Sequence, residues 1–278
     1  MILIADSGST NANWCLIRNG RDKTYFRTKG YNPHFVDEKY IIHSLPQSLP
    51  VFLDPGLISE INFYGSGCMA GKSVVMENAL SVIFKNAKVN VSVDLLAAAR
   101  ALLGNKSGFA AILGTGTNTC IYDGTEIIHN IDSLGYMLGD EGSGTYIGKK
   151  LLQDYLRGYM PDSISEKFHD EIRMSFNEIM DQVYSKPLPN RFCASFAKFA
   201  GSNIRESYLY NVVRDSFTDF FTHIVAHYPN YHEYTFNCIG SIGFHFRDIL
   251  GEVVVNHRMK MGKLIQSSIE ALVDYHCS

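Results

Sequence analysis

The chain has 278 residues, 46% hydrophobic and 19% charged, with a formal net charge of −3. That length supports one large domain or two modest ones, each with a real core, and so small a charge gives no electrostatic case for nucleic acid or an anionic membrane. No run approaches the roughly 18 apolar residues of a spanning helix, Met1–Asp6 lacks the basic flank of a signal peptide, and six cysteines without a C-x-x-C pair read as reduced thiols of a cytoplasmic protein, not a zinc site or disulfide framework.

Met1 to Ala5 is an apolar strand that delivers Asp6, and Ser7-Gly8-Ser9-Thr10 is a tight polar turn. Asn13–Ile17 resumes a strand, Asn19-Gly20 has hairpin chemistry, and Thr24–Thr28 reads as a third strand. A carboxylate at a strand end beside a Gly/Ser/Thr turn either bonds its own turn or holds hydrated Mg²⁺ while the turn meets phosphate oxygens. Lys29–Phe35 is a loop in which Pro33 keeps Asn32 extended. Asn32 there either stabilises its own turn or meets a polar ligand. Glu38 to about Leu49 reads as a helix, Ile61–Tyr64 as a strand running into Gly65-Ser66-Gly67, and Lys72–Phe84 as a helix with its apolar residues on one side. Val89–Val93 is a strand that presents Asp94, and Leu95–Leu103 is a helix ended by Gly104. Asp94 is an N-cap, a general base at the carboxyl end of a strand, or both.

Phe109–Leu113 is a buried strand, followed by Gly114-Thr115-Gly116-Thr117-Asn118 and a return strand, Cys120–Tyr122. The bend is either an ordinary Gly-rich hairpin or an anion nest of backbone N–H groups and threonine hydroxyls. Asp123-Gly124 turns the chain again, and Glu126–Ile128 completes the hairpin. Leu134–Ser143 is a Gly-rich acidic loop leading into a helix from Gly144 to about Leu156. Its Asp140 and Glu141 either favour the helix dipole or face a polar ligand. Its G-x-x-G-x-G spacing only weakly resembles a dinucleotide fingerprint, because no strand immediately precedes it and two acids would repel pyrophosphate. Helices are expected at Ser165–Phe176, Glu178–Tyr184, Arg191–Ala200 and Ile204–His227, their dense aromatics serving as core. Thr235–Ile239 is a strand ending in Gly240-Ser241-Ile242-Gly243, either a phosphate-facing or an ordinary βα turn. A helix then runs from Phe244 to about Val254, and Lys263–Tyr275 reads as an amphipathic helix.

The order of these turns resembles the actin-like ATPase and sugar kinase superfamily, and within it the N-acetylglucosamine kinase branch grouped with the BadF/BadG/BcrA/BcrD-type ATPases. Gly114-Thr115-Gly116-Thr117-Asn118 is close to that branch's Gly-Thr-Gly-Ser-Asn turn, and Gly139-Asp140-Glu141-Gly142-Ser143 is identical to its acidic loop. The resemblance implies an α/β, two-lobed actin-like (ribonuclease H-like) fold with a cleft between lobes that hinge shut. The first lobe would span 1–107, completed by a C-terminal helix at 263–278, and the second 108–262 with a helical insertion. It implies transfer of the γ-phosphate of ATP, with Mg²⁺, to a hydroxyl of a small-molecule amino sugar, N-acetylglucosamine foremost, and is compatible with a homodimer. Asp6 would hold the metal and Asp94 would be the catalytic base. Ser7, Gly8, Ser9, Thr10, Thr115, Gly116, Thr117, Gly240 and Ser241 would face the nucleotide; Asn32, Gly65, Ser66, Asn118 and Asp140 would face the sugar. Leu134 stands near where amino-sugar kinases carry a Trp, which bears on sugar preference. The competing readings are an ATPase that activates a dehydratase through a cysteine-held iron–sulfur cluster, for which Cys68 has no sequence neighbour, and a sugar or nucleotide sensor without catalysis.

Overall fold

The hydrophobic pattern of the first hundred residues builds one mixed sheet. The computed structural model describes residues 1–8, 11–69 and 71–277. β1 (Ile2–Ser7), β2 (Asn11–Arg18) and β3 (Asp22–Lys29) form an antiparallel meander. Its second turn has Asn19 and Gly20 both at positive φ (50° and 69°), with the Arg21 N–H donating to Arg18 O (3.0 Å). α1 (Glu38–Ser48) follows, then β4 (Glu60–Gly65) parallel to β1, α2 (Ser73–Ile83), β5 (Lys88–Val93) parallel to β4, and α3 (Asp94–Leu103). The strand order is β3-β2-β1-β4-β5. Leu3, Ala5, Trp14, Leu16, Ile61 and Phe63 form one core with residues of α1 and α2. The intervening residues lie on the opposite face of the sheet, where Tyr64 meets α3 and the last helix. Burial on both faces is why these strands read as apolar runs.

The second sheet repeats this plan. β6 (Gly108–Leu113), β7 (Thr117–Tyr122) and β8 (Ile127–His129) form an antiparallel meander, and β9 (Thr235–Ile239) and β10 (Lys260–Ile265) add in parallel beside β6, giving the order β10-β9-β6-β7-β8. Between β8 and β9 lie α4 (Gly135–Leu138), α5 (Gly144–Arg157), α6 (Asp162–Ile172), α7 (Phe176–Tyr184), α8 (Pro189–Ser195), α9 (Ala197–Ser202) and α10 (Ser207–His223). α11 (Ser241–His245) and α12 (Arg247–Asn256) separate β9 from β10, and α13 (Ile269–Cys277) ends the chain. Phe196, Phe199, Phe217, Phe220 and Phe221 are core, as their spacing implied, and Phe192 is partly buried against that core. Among the described residues no helix is long and apolar enough to cross a membrane.

Contacts divide the chain into two units, Met1–Lys106 with Gly124–Glu126 and Ser267–Ser278, and Ser107–Asp123 with Ile127–Gln266. Several expected helices are corrected. Ser165–Phe176 breaks after Ile172, where Arg173 turns left-handed (φ 46°), and a Ser175/Glu178 capping box starts the next helix. Arg191–Ala200 breaks at Phe196, and Phe244–Val254 at Phe246. The largest correction is Lys263–Tyr275: its first residues belong to β10, and the helix begins only at Ile269. Backbone pairing to β9 outweighs the helical spacing there, and Asn237 Oδ1 accepts the Lys263 N–H at 2.9 Å.

Candidate active site

In the first unit, β1 carries Asp6 and Ser7 to its C-terminal end. In the parallel register Ser7 lies opposite Gly65 of β4. The Ser66 N–H donates to Ser7 O (2.8 Å), and the Tyr31 N–H to Ser7 Oγ (3.3 Å). Ser66 also donates its hydroxyl to the Asp94 carboxylate. Asn32 Oδ1 accepts the His34 N–H (2.9 Å) and packs against Gly67, where a Cβ would lie 2.3 Å from it. Gly65 is equally confined, since a Cβ would meet Phe63 and Cys68 Sγ at 2.6 and 2.7 Å. Asp6, Ser7, Asn32, Gly65, Ser66 and Asp94 are thus one contiguous cluster, with Gly8 beside it, its N–H on Asn11 O (3.1 Å). Ser9 and Thr10 lie outside the described residues.

Two carboxylates set the electrostatics of this cluster. Burial pushes Asp6 up to about 6; the Ser268 hydroxyl on Oδ2 opposes this and the nearby Asp94 adds to it. Burial also raises Asp94, against bonds from Ser66 and from the backbone N–H groups of Leu95 and Asp94 itself. Part of each residue is still reached by solvent, but the carboxyls lie deep enough for desolvation to dominate. Asp94 is not the N-cap expected: Val93 holds that position without a side-chain bond, and Asp94 is the first helical residue. Ser268 is the residue sequence reading missed. It is 1% exposed, bonds Asp6, and immediately precedes α13. A serine directly before an apolar-periodic run is a helix-start signal, and Ser268 stands in that position before Ile269.

In the second unit the bend after β6 is narrower than expected, because Thr117 and Asn118 already belong to β7. The Gly114 N–H donates to Gly116 O (3.0 Å) across it. The start of α5 grips its carbonyls: Gly144 N–H donates to Gly114 O (2.9 Å), and Thr145 donates to Thr115 O through both N–H (3.1 Å) and hydroxyl (2.6 Å). The Thr117 N–H donates to Asp140 Oδ1 (3.1 Å). The N–H groups of Thr115 and Gly116 take part in none of these bonds. The Thr117 hydroxyl is buried with no partner among the described residues. Gly240 closes against this bend, with a Cβ there only 2.3 Å from Leu113 O, and Ser241 is the exposed first residue of α11.

Asn118 Oδ1 accepts from the Thr119 N–H and from Asn130 Nδ2, both at 3.0 Å. Asp140 is buried, and desolvation raises its pKa; the Thr117 N–H, the Ser133 hydroxyl and Lys149 oppose that, while Glu141 adds to it. Asn130, Ser133 and Thr145 carry no motif of their own, which is why sequence reading passed over them. Chemically, the second unit offers a small-residue bend whose Thr117 hydroxyl is unpaired among the described residues, and the first offers two deep carboxylates beside a Gly-Ser-Gly turn.

No protein-family model matches the chain, and no curated protein does. Among solved structures it is 38% identical to a candidate N-acetylglucosamine kinase of Porphyromonas gingivalis, covering 100% of this chain and 99% of that one with a TM-score of 0.95. A candidate N-acetylglucosamine kinase of Chromobacterium violaceum shares 17% identity over 99% and 98% of the two chains, TM-score 0.71. A candidate N-acetylmannosamine kinase of Listeria monocytogenes shares 13% over 99% and 97%, TM-score 0.53. The last two show likeness of fold.

Proposed function

This chain belongs to the family of N-acetylglucosamine kinase-like proteins, and we propose that it transfers the γ-phosphate of ATP to a hydroxyl of an amino sugar, with N-acetylglucosamine the first candidate. The observation that carries the reading is the Gly114–Thr117 bend. Its carbonyls are tied down by α5, while the Thr117 hydroxyl is buried without a partner. A buried hydroxyl left unsatisfied costs about 1–3 kcal/mol, and a phosphate oxygen is a fitting acceptor for it. Gly240 lies beside that bend, and Gly240 and Ser241 would face the nucleoside end; Ser7, Gly8, Ser9 and Thr10 would face phosphate.

Phosphoryl transfer asks for positioning and charge neutralisation more than for covalent chemistry. Asp94 would accept the proton of the attacking sugar hydroxyl, oriented for this by the Ser66 hydroxyl and its own helix-start N–H groups. Its raised pKa makes it a better proton acceptor than an ordinary carboxylate, and base catalysis of this kind is worth about 10²–10⁴-fold. Asn32, Gly65 and Ser66, with Asn118 and Asp140, would orient the sugar. Asp6 fits Mg²⁺: it is a hard oxygen donor at a strand end, and Mg²⁺ is usually held by one or two carboxylates plus substrate phosphates. Bound there, the ion would neutralise phosphate charge.

The test is ADP release from ATP and Mg²⁺ with N-acetylglucosamine, glucosamine, N-acetylmannosamine, glucose and no sugar. Release that requires one amino sugar supports the reading. Release independent of sugar, or none with any of them, sinks it. Asp94→Asn is expected to lower kcat by at least about 100-fold while still binding nucleotide; full activity in that variant would remove Asp94 from its role.

A further inference from the structure

Four hydrogen bonds mount the Gly114–Thr117 bend on the loop and helix that follow it, and only one comes from an acidic side chain. Gly144 and Thr145 hold the Gly114 and Thr115 carbonyls from the first turn of α5. The fourth bond is Asp140 Oδ1 to the Thr117 N–H. Asp140 is held tightly for it. Its backbone is left-handed (φ 61°), a conformation that aspartate and asparagine adopt more readily than other non-glycine residues. Its N–H donates to Ser133 O (2.9 Å), and its carbonyl accepts the Ser143 N–H (3.1 Å). The carboxylate is almost sealed from solvent, the residue being 7% exposed, and burying a charge is expensive unless it is well bonded. Gly116 completes the fit, because a Cβ there would lie 2.9 and 3.1 Å from the two carboxylate oxygens.

We propose that Asp140 is a positioning residue for the nucleotide: by taking the Thr117 N–H it fixes the bend so that the Thr117 hydroxyl and the Gly116 N–H are left to the phosphates. This rests on the kinase reading and adds to the sugar-orienting part given to Asp140 above. One carboxylate would then serve both substrates, with its Oδ1 on the mount of the phosphate bend.

The deciding experiment measures ADP binding with Mg²⁺ and no sugar by calorimetry, on the wild type, Asp140→Gly and Asp140→Asn. Glycine accepts φ 61° without strain but removes the acceptor; asparagine tolerates that φ and keeps an oxygen for the Thr117 N–H. Asp140→Gly is expected to bind ADP at least about tenfold more weakly, and Asp140→Asn within about threefold of wild type. A residue that touched the sugar alone would leave ADP affinity unchanged in both, and wild-type affinity in Asp140→Gly overturns the proposal. If Asp140→Gly does not fold, Ser133→Ala decides: a loss of about threefold supports the proposal, and unchanged affinity overturns it. A wild type that binds no ADP defeats the kinase reading itself, and this inference with it.

Discussion

Thr117 separates fold from function more cleanly than any other residue of the candidate site. Its side chain is buried but its hydroxyl bonds nothing among the described residues, so Thr117→Val, which keeps the shape, should leave thermal stability unchanged or slightly higher. The same change should lower kcat/KM for ATP by about tenfold if the hydroxyl meets phosphate. Melting and kinetics on one preparation check both halves, and a destabilised variant with normal kinetics would contradict them. Gly67 has the opposite character. It sits at φ 78°, and an added Cβ would lie 2.3 Å from Asn32 Oδ1. Gly67→Ala therefore combines backbone strain with displacement of Asn32, and a loss of about 2–4 kcal/mol is expected. Denaturant unfolding measures it, and sugar affinity should fall with it.

Helices meet at two places where a single atom decides the packing. α5 and α8 approach so closely that a Cβ on Gly148 would lie 1.8 Å from the Cys193 carbonyl oxygen. No rotamer relieves a clash with backbone, so Gly148→Ala should cost at least about 2 kcal/mol, read as a drop in the unfolding midpoint. α13 is fastened to its unit through His276. Its Nε2 lies 2.8 Å from Tyr64 Oη, which also receives Arg100 Nη1 at 2.6 Å, and the Arg100 guanidinium stacks on the Tyr64 and Tyr275 rings. Burial, then repulsion from Arg100, lowers the His276 pKa below its ordinary 6.5, with Glu60 opposing. The unfolded chain then holds a proton that the folded one lacks between the lowered value and 6.5. Stability contributed by neutral His276 is therefore full above about pH 6.5 and is lost as pH falls through that window. Melting temperatures of wild type and His276→Gln should differ most at neutral pH and converge on acidification; a constant difference would refute this.

The whole molecule carries the same five-strand plan twice, β3-β2-β1-β4-β5 and β8-β7-β6-β9-β10, each an antiparallel meander extended by two parallel strands. In both, small residues stand where the central strand ends: Ser7 closing β1 with Gly8 after it, and Gly114–Gly116 after β6. No sequence repeat announces this, because the repeat lies in strand direction and order, which many side-chain sets satisfy. The last twelve residues belong to the first unit, with α13 against α3, β1 and β2 and Lys23 paired with Asp274 at 2.8 Å. Truncation after Gln266 should therefore remove amide-exchange protection from β1, β2 and α3 while β6, β7 and β9 keep theirs. Equal loss in both sheets would contradict that division of stability.

By itself the sequence determined the α/β class, the position of nearly every strand and the resemblance to amino-sugar kinases. Each of these depends on local chemistry: apolar runs ended by Gly, Ser, Thr or Asp, and two motifs, Gly114–Asn118 and Gly139–Ser143, readable from adjacent residues. The tertiary structure decided that Lys260–Ile265 is a strand, because its partner β9 lies outside any local window, and that Asp94 begins its helix instead of capping it. It also decided what each acid touches. Asp140 meets Thr117 across 23 residues and Asp6 meets Ser268 across 262. Helical periodicity is set by neighbours three and four residues apart, whereas a buried carboxylate takes whichever donor the folded chain brings to it.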